Sequence, residues 1–239
     1  MYTPVQKWRQ GEYQALYRLK DEEKEGVQPL FVLPPIEYDF EEQRPKKTLQ
    51  DHIDTFLKRF PEKWDKRPAY LDFHSSLFEE RLDNGEELLD YVFTTLNKES
   101  CTVIPVIHSG IRNYESYTRV IHQGKSGAAI RIIPESVLDG ELDGLLDELD
   151  RVVHLQPPDI DLLLDLGKPE AFEPVEDFAN ALAFQINNIP ILEEFRSFSL
   201  IATSIRLSEI EQPGGFLERK EWKLYKELLN PSYGLKRIP

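Results

Sequence analysis

Short apolar runs recur along the chain, and stretches of helical periodicity lie between them. Residues 3–8 (TPVQKW), 27–34 (VQPLFVLP), 69–74 (AYLDFH), 102–108 (TVIPVIH), 128–133 (AAIRII), 159–167 (DIDLLLDLG) and 195–205 (FRSFSLIATSI) have the length and composition of strands. The intervening segments place apolar residues three and four apart. Tyr13, Leu16 and Tyr17 do so in the first, and Leu49, Ile53, Phe56, Leu57 and Phe60 follow a Thr48 cap in the second. The pattern continues in GEELLDYVFTTLNK, NYESYTRVIHQ, ESVLDGELDGLLDELDRVV, EPVEDFANALAFQINNI and FLERKEWKLYKELL. Seven strand–helix units result, read as one domain over residues 1–239.

Regular alternation of this kind predicts α/β architecture, with parallel strands covered by helices. An open doubly wound sheet and a closed (β/α)8 TIM-like barrel both satisfy it. The number of units favours the barrel, as does a repeat length suited to a barrel of roughly 250 residues. No G-x-G-x-x-G or G-x-x-x-x-G-K-[ST] supplies the phosphate-binding turn of a nucleotide-binding sheet. The expectation is therefore a TIM-like barrel lacking its final strand, since an eighth strand is due about where NPSYGLKRIP ends the chain.

Parity along the strands then locates a candidate site. In DIDLLLDLG, Ile160, Leu162, Leu164 and Leu166 share one face, and Asp159, Asp161, Leu163 and Asp165 share the other. Tyr70, Asp72 and His74 lie opposite Ala69, Leu71 and Phe73. Arg131 opposes Ile130 and Ile132, and His108 ends its strand. Lys7 stands near a strand end with Val5 and Thr3 on its side, and Ser197, Ser199 and Thr203 share a face. Charges enclosed in low dielectric need partners, so Lys7 and Arg131 are the expected counterions of Asp72, Asp161 and Asp165. Asp159 and Asp161 come early in their strand and are assigned to its structural end.

The site is thus expected at the carboxyl ends of the strands, where barrels bind ligands. Asp72 and Asp165 are the candidate general acid and base. Lys7 and Arg131 are the candidate anion clamp, with His74 and His108 beside them. Arg219, in RKEW, is placed at a helix start near the same mouth. Asp72, His74, His108 and Glu37 are of types that bind a divalent metal, but no H-x-H or H-E-x-x-H spacing supports one.

Composition narrows the partners. The formal net charge of -14 disfavours broad nucleic-acid or anionic-membrane binding. A single cysteine, Cys101, excludes an intrachain disulfide and a Cys-based zinc site. No run approaches the ~18 apolar residues of a membrane span, and MYTPVQKWRQGEY lacks a signal-peptide core. Cytoplasmic residence is the default expectation.

The segments YTPVQKWRQGEYQAL, VQPLFVLPPIEYDF, RPKKTLQDHI, PAYLDF, DLLLDLG and RKEWKLYKEL, taken in order, resemble the Beta protein family of phages and bacteria. The resemblance covers nearly the whole chain. It implies Lys7, Gly11, Glu12, Asp72, Arg131, Asp165, Arg219 and Trp222 as signature positions, adding Glu12 to the ligand-binding set. It implies a further Gly-Asp-Tyr strand beyond LKRIP, and a phage or phage-defence setting rather than a particular reaction. Three functions are expected in order: a phage- or defence-associated protein binding a partner or small anionic ligand, a hydrolase of a phosphate- or carboxylate-bearing small molecule, and a structural phage component.

Overall fold

The structure, a computed structural model, describes residues 1–78, 80–110, 114–167, 174–202 and 218–236. Its parallel strands are β1 (Val5–Lys7), β2 (Leu30–Leu33), β5 (Ala69–Phe73), β6 (Val103–His108), β7 (Ala128–Ile132), β8 (Ile160–Asp165) and β9 (Ser197–Ile201). An antiparallel ribbon, β3 (Tyr38–Asp39) with β4 (Arg44–Pro45), follows β2 where the sequence suggested only a polar loop. The helices are α1 (Gln10–Tyr17), α2 (Asp21–Glu25), α3 (Leu49–Lys63), α4 (Leu88–Lys98), α5 (Tyr114–Gly124), α6 (Pro134–Leu138), α7 (Glu141–Glu148), α8 (Val175–Asn187) and α9 (Lys220–Leu228).

All seven expected strands form, but the closed (β/α)8 barrel does not. The strand order β1-β2-β5-β6-β7-β8-β9 has two ends: among the described residues β1 pairs with β2 alone and β9 with β8 alone. The sheet is an open parallel α/β sheet, the alternative that the count of units disfavoured. The reason is physical. Alternation fixes parallel strands and covering helices locally, whereas closure is a pairing between the first and last strands that no local pattern encodes. Thr203 and residues 216–217, within the last predicted strand and helix, lie outside the described residues.

The chain divides into two compact units. The first comprises Met1–Ala129 with Asp150–Leu155, and the second Ile130–Leu149 with Gln156–Pro239. In the first unit β1, β2, β5 and β6 are in parallel register, with Lys7 opposite Val32, Val32 opposite Asp72, and Leu71 opposite Pro105. Phe31, Leu33, Ala69, Leu71, Phe73 and Val103 form one face and join the stripes of α3 and α4 in a single core. Trp8 is its anchor, 4.8 Å from Tyr13 and edge-on at 5.1 Å to both Phe31 and Phe56. Burying aromatics of this size stabilises by about 1.5–3 kcal/mol each. Thr48 caps α3 as expected, its hydroxyl accepting the Asp51 N–H at 3.1 Å.

In the second unit β8 and β9 are in parallel register from Asp161 opposite Ser197 to Asp165 opposite Ile201. Leu182, Ala183 and Ile186 of α8, and Leu224 and Leu228 of α9, are buried. The helix expected over 135–153 breaks into α6 and α7 at Gly140, whose φ of 76° suits glycine.

A candidate acid–base site at the carboxyl edge

Parity in β5 and β6 produces the most chemically pointed contact of the first unit. Asp72 stands on the face opposite the helix core, and His108, at the end of β6, lies on the same side. The strands bring Asp72 Oδ1 to 2.8 Å from His108 Nε2. Asp72 is 1% exposed, while the His108 side chain is 28% exposed. The buried carboxylate thus meets an imidazole that solvent reaches. Asp72 Oδ1 also accepts its neighbour Phe73's N–H at 2.8 Å. A carboxylate facing Nε2 favours the proton on that nitrogen, leaving Nδ1 with the lone pair. Among the described residues Nδ1 has no hydrogen-bond partner.

Two aromatic residues border the pair. Tyr117 of α5 is buried and donates its hydroxyl to the Val106 carbonyl at 3.1 Å. Burial first, and the Asp72 charge second, push its phenol well above the ordinary range, so it stays a neutral donor. Phe78, after the turn that follows β5, sits with its ring 5.6 Å from the His108 ring and is 39% exposed.

Lys7, at the carboxyl end of β1, shares the Asp72 face by register and is exposed. Two strand spacings separate their backbones, about 10 Å. The Glu12 carboxylate accepts the Lys7 backbone N–H at 2.6 Å and fixes the turn between β1 and α1. His74 is exposed, its Nδ1 held by the Ser76 hydroxyl at 3.0 Å.

The second unit has its own charged pair at a carboxyl edge. Arg131 donates from Nε and Nη2 to Asp165 Oδ2 at 2.8 and 2.5 Å. Asp165 Oδ1 accepts the Gly167 N–H at 2.8 Å, where a φ of 63° gives glycine its purpose. Arg131 and Asp165 therefore do meet, as parity suggested. Asp161, 3% exposed, takes instead a partner the sequence reading overlooked: Arg196, forked across both oxygens at 2.9 and 2.6 Å, with Ser197 donating at 2.7 Å. The overlooked signal was the RS dipeptide opening β9 against the acidic start of β8. Arg219, exposed at the start of α9, donates to Glu221 at 2.8 Å and lies over the Trp222 ring.

Among the described residues no three His, Cys, Asp or Glu side chains come together as a metal-binding group. Glu37 pairs with Lys46, whose hydrogen bond and charge lower its carboxyl pKa. Nor is any described helix long and apolar enough to cross a membrane.

These features define an open parallel α/β protein with a buried carboxylate presenting an accessible imidazole at the carboxyl edge of its strands. The chain belongs to the Beta protein family, whose model matches residues 2–236. No curated protein matches the chain.

Proposed function

We propose that this protein binds a small anionic ligand at the carboxyl edge of the first unit's sheet. Lys7 supplies the positive charge, and His108, oriented by Asp72, exchanges a proton with the ligand. The Asp72–His108 hydrogen bond carries this reading, because a buried carboxylate aimed at a partly exposed ring is the arrangement that sets an imidazole's tautomer. Membership of the Beta protein family supports a phage or phage-defence setting, with a protein encoded nearby as a further partner. Calorimetric titration with inorganic phosphate and with carboxylates tests the reading. Binding is expected, weakened about tenfold or more by Lys7→Ala, as for loss of a charge-assisted hydrogen bond, and weakened for hydrogen phosphate by His108→Ala, which removes the Nδ1 lone pair that accepts the phosphate O–H. No binding of any anion, or unchanged affinity in both variants, would sink it.

The same hydrogen bond favours a second reading, hydrolysis of a phosphate- or carboxylate-bearing small molecule. His108 Nδ1 would take the proton of an attacking water, and Asp72 would act through His108 as a positioning residue. Asp165, its oxygens engaged by Arg131 and Gly167, would position Arg131 rather than carry a proton. Under this reading Asp72→Asn lowers kcat and leaves KM unchanged.

A further inference from the structure

We infer that the anion is a nucleoside phosphate, with its base stacked on Phe78 and its phosphate on Lys7. The inference rests on the anion-binding reading above and names its ligand class. Phe78 is apolar yet 39% exposed, and it sits at the very site where His108 meets solvent. Its ring contact among the described residues is His108 alone. Tyr17, another exposed aromatic of this unit, differs: the ammonium groups of Lys63 and Lys24 lie over its ring at 4.5 and 5.7 Å. A second exposed pair, Tyr38 with Phe40, is carried by the ribbon that follows β2. Exposed aromatic faces thus come from the segments after β2 and β5, and a cation from the end of β1.

A ligand matching these groups carries a planar ring at one end and an anion at the other. The strands of Lys7 and His108 are three spacings apart, about 14 Å, with His108 a further two residues, about 7 Å, along its strand, and both side chains shorten that span. Every nucleobase has a stacking face, so the site is expected to tolerate different bases. The net charge of -14 selects a mononucleotide over a polyanionic strand.

The test is calorimetry of the full chain with inorganic phosphate, ribose 5-phosphate, adenosine monophosphate and a single-stranded oligonucleotide. Adenosine monophosphate is expected to bind about 5- to 150-fold more tightly than ribose 5-phosphate, the range for one base–aromatic stack. Phe78→Ala and Phe78→Leu are expected to abolish that advantage and leave ribose 5-phosphate affinity unchanged, while Phe78→Tyr preserves it. Circular dichroism confirms that each variant is folded, and the leucine variant keeps apolar bulk without a stacking face. Equal affinity for the two phosphates overturns the nucleoside inference. If Lys7→Ala still weakens both, the anion reading survives that result. Tighter binding of the oligonucleotide than of the mononucleotide also overturns the inference. Failure of every probe removes both readings together.

Discussion

Asp72 and Asp161 are both buried carboxylates, yet their partners suit them to different tasks. Asp161 is locked by a forked arginine and a serine, so each of its oxygens is satisfied by groups that do not titrate near neutrality. Asp72 is matched to a histidine, the side chain whose proton moves most readily near neutral pH. Asp161→Ala is therefore expected to cost stability, about 2–4 kcal/mol, because it removes the buried carboxylate that binds Arg196 and Ser197. Partial exposure of the Arg196 side chain keeps the figure below that of a fully buried pair. A urea midpoint measures it, and a change under about 0.5 kcal/mol, the ordinary range of a neutral surface substitution, would show the fork to be dispensable. Tyr117 gives the pH dependence a sign. Its phenol pKa is raised in the folded state, by burial and then by Asp72. Its contribution is intact below the unfolded value of about 10 and lost as pH rises further, because the unfolded chain ionises while the folded one resists. Tyr117→Phe should flatten the fall in stability between about pH 9.5 and 11, at a constant cost of about 1 kcal/mol for the bond to Val106. A parallel fall in both proteins would remove Tyr117 from the account.

Elements were legible where their cause is local. Thr48 reads as a cap because its hydroxyl can reach the N–H three residues on, and α3 begins there. Thr48→Ala should lower stability by about 1 kcal/mol, read as a drop in Tm. No change would mean that packing of Phe56 and Phe60 alone sets the start of α3. Period-two parity was equally local: it set Asp72 and Asp165 opposite the apolar faces of their strands and made Arg131 an expected partner of Asp165, whereas it gave His108 only a place at a strand end, and its bond to Asp72 came with the register. What escaped depends on distant pairing or on exposure. The barrel expectation failed because seven repeats look alike whether or not β1 meets a last strand. The helix expected over residues 11–23 breaks after Tyr17, since Lys20 takes extended backbone and starts α2. Phe78 had no signal at all, because a phenylalanine in a polar loop reads as an ordinary packing residue until its exposure and its histidine neighbour are known.

At the scale of the whole molecule, charge and proposed ligand oppose each other. A chain of formal net charge -14 repels an anion at long range, while Lys7 attracts it at contact. The two effects differ in reach, and that separates them experimentally. The screening length is about 30 Å at 0.01 M salt and about 10 Å at 0.1 M. The summed repulsion of distributed surface acids is therefore suppressed first, while a contact of a few ångströms is weakened later. Affinity for the anion should accordingly rise between about 0.01 and 0.1 M salt, then decline toward 1 M, where screening reaches about 3 Å and cuts into the contact itself. Lys7→Ala should flatten the decline and keep the rise, since it removes the contact and leaves the field. Calorimetry across that series in sodium chloride decides the matter. Affinity that only falls from the lowest salt upward would mean that local cations, not the acidic surface, dominate the approach of the ligand.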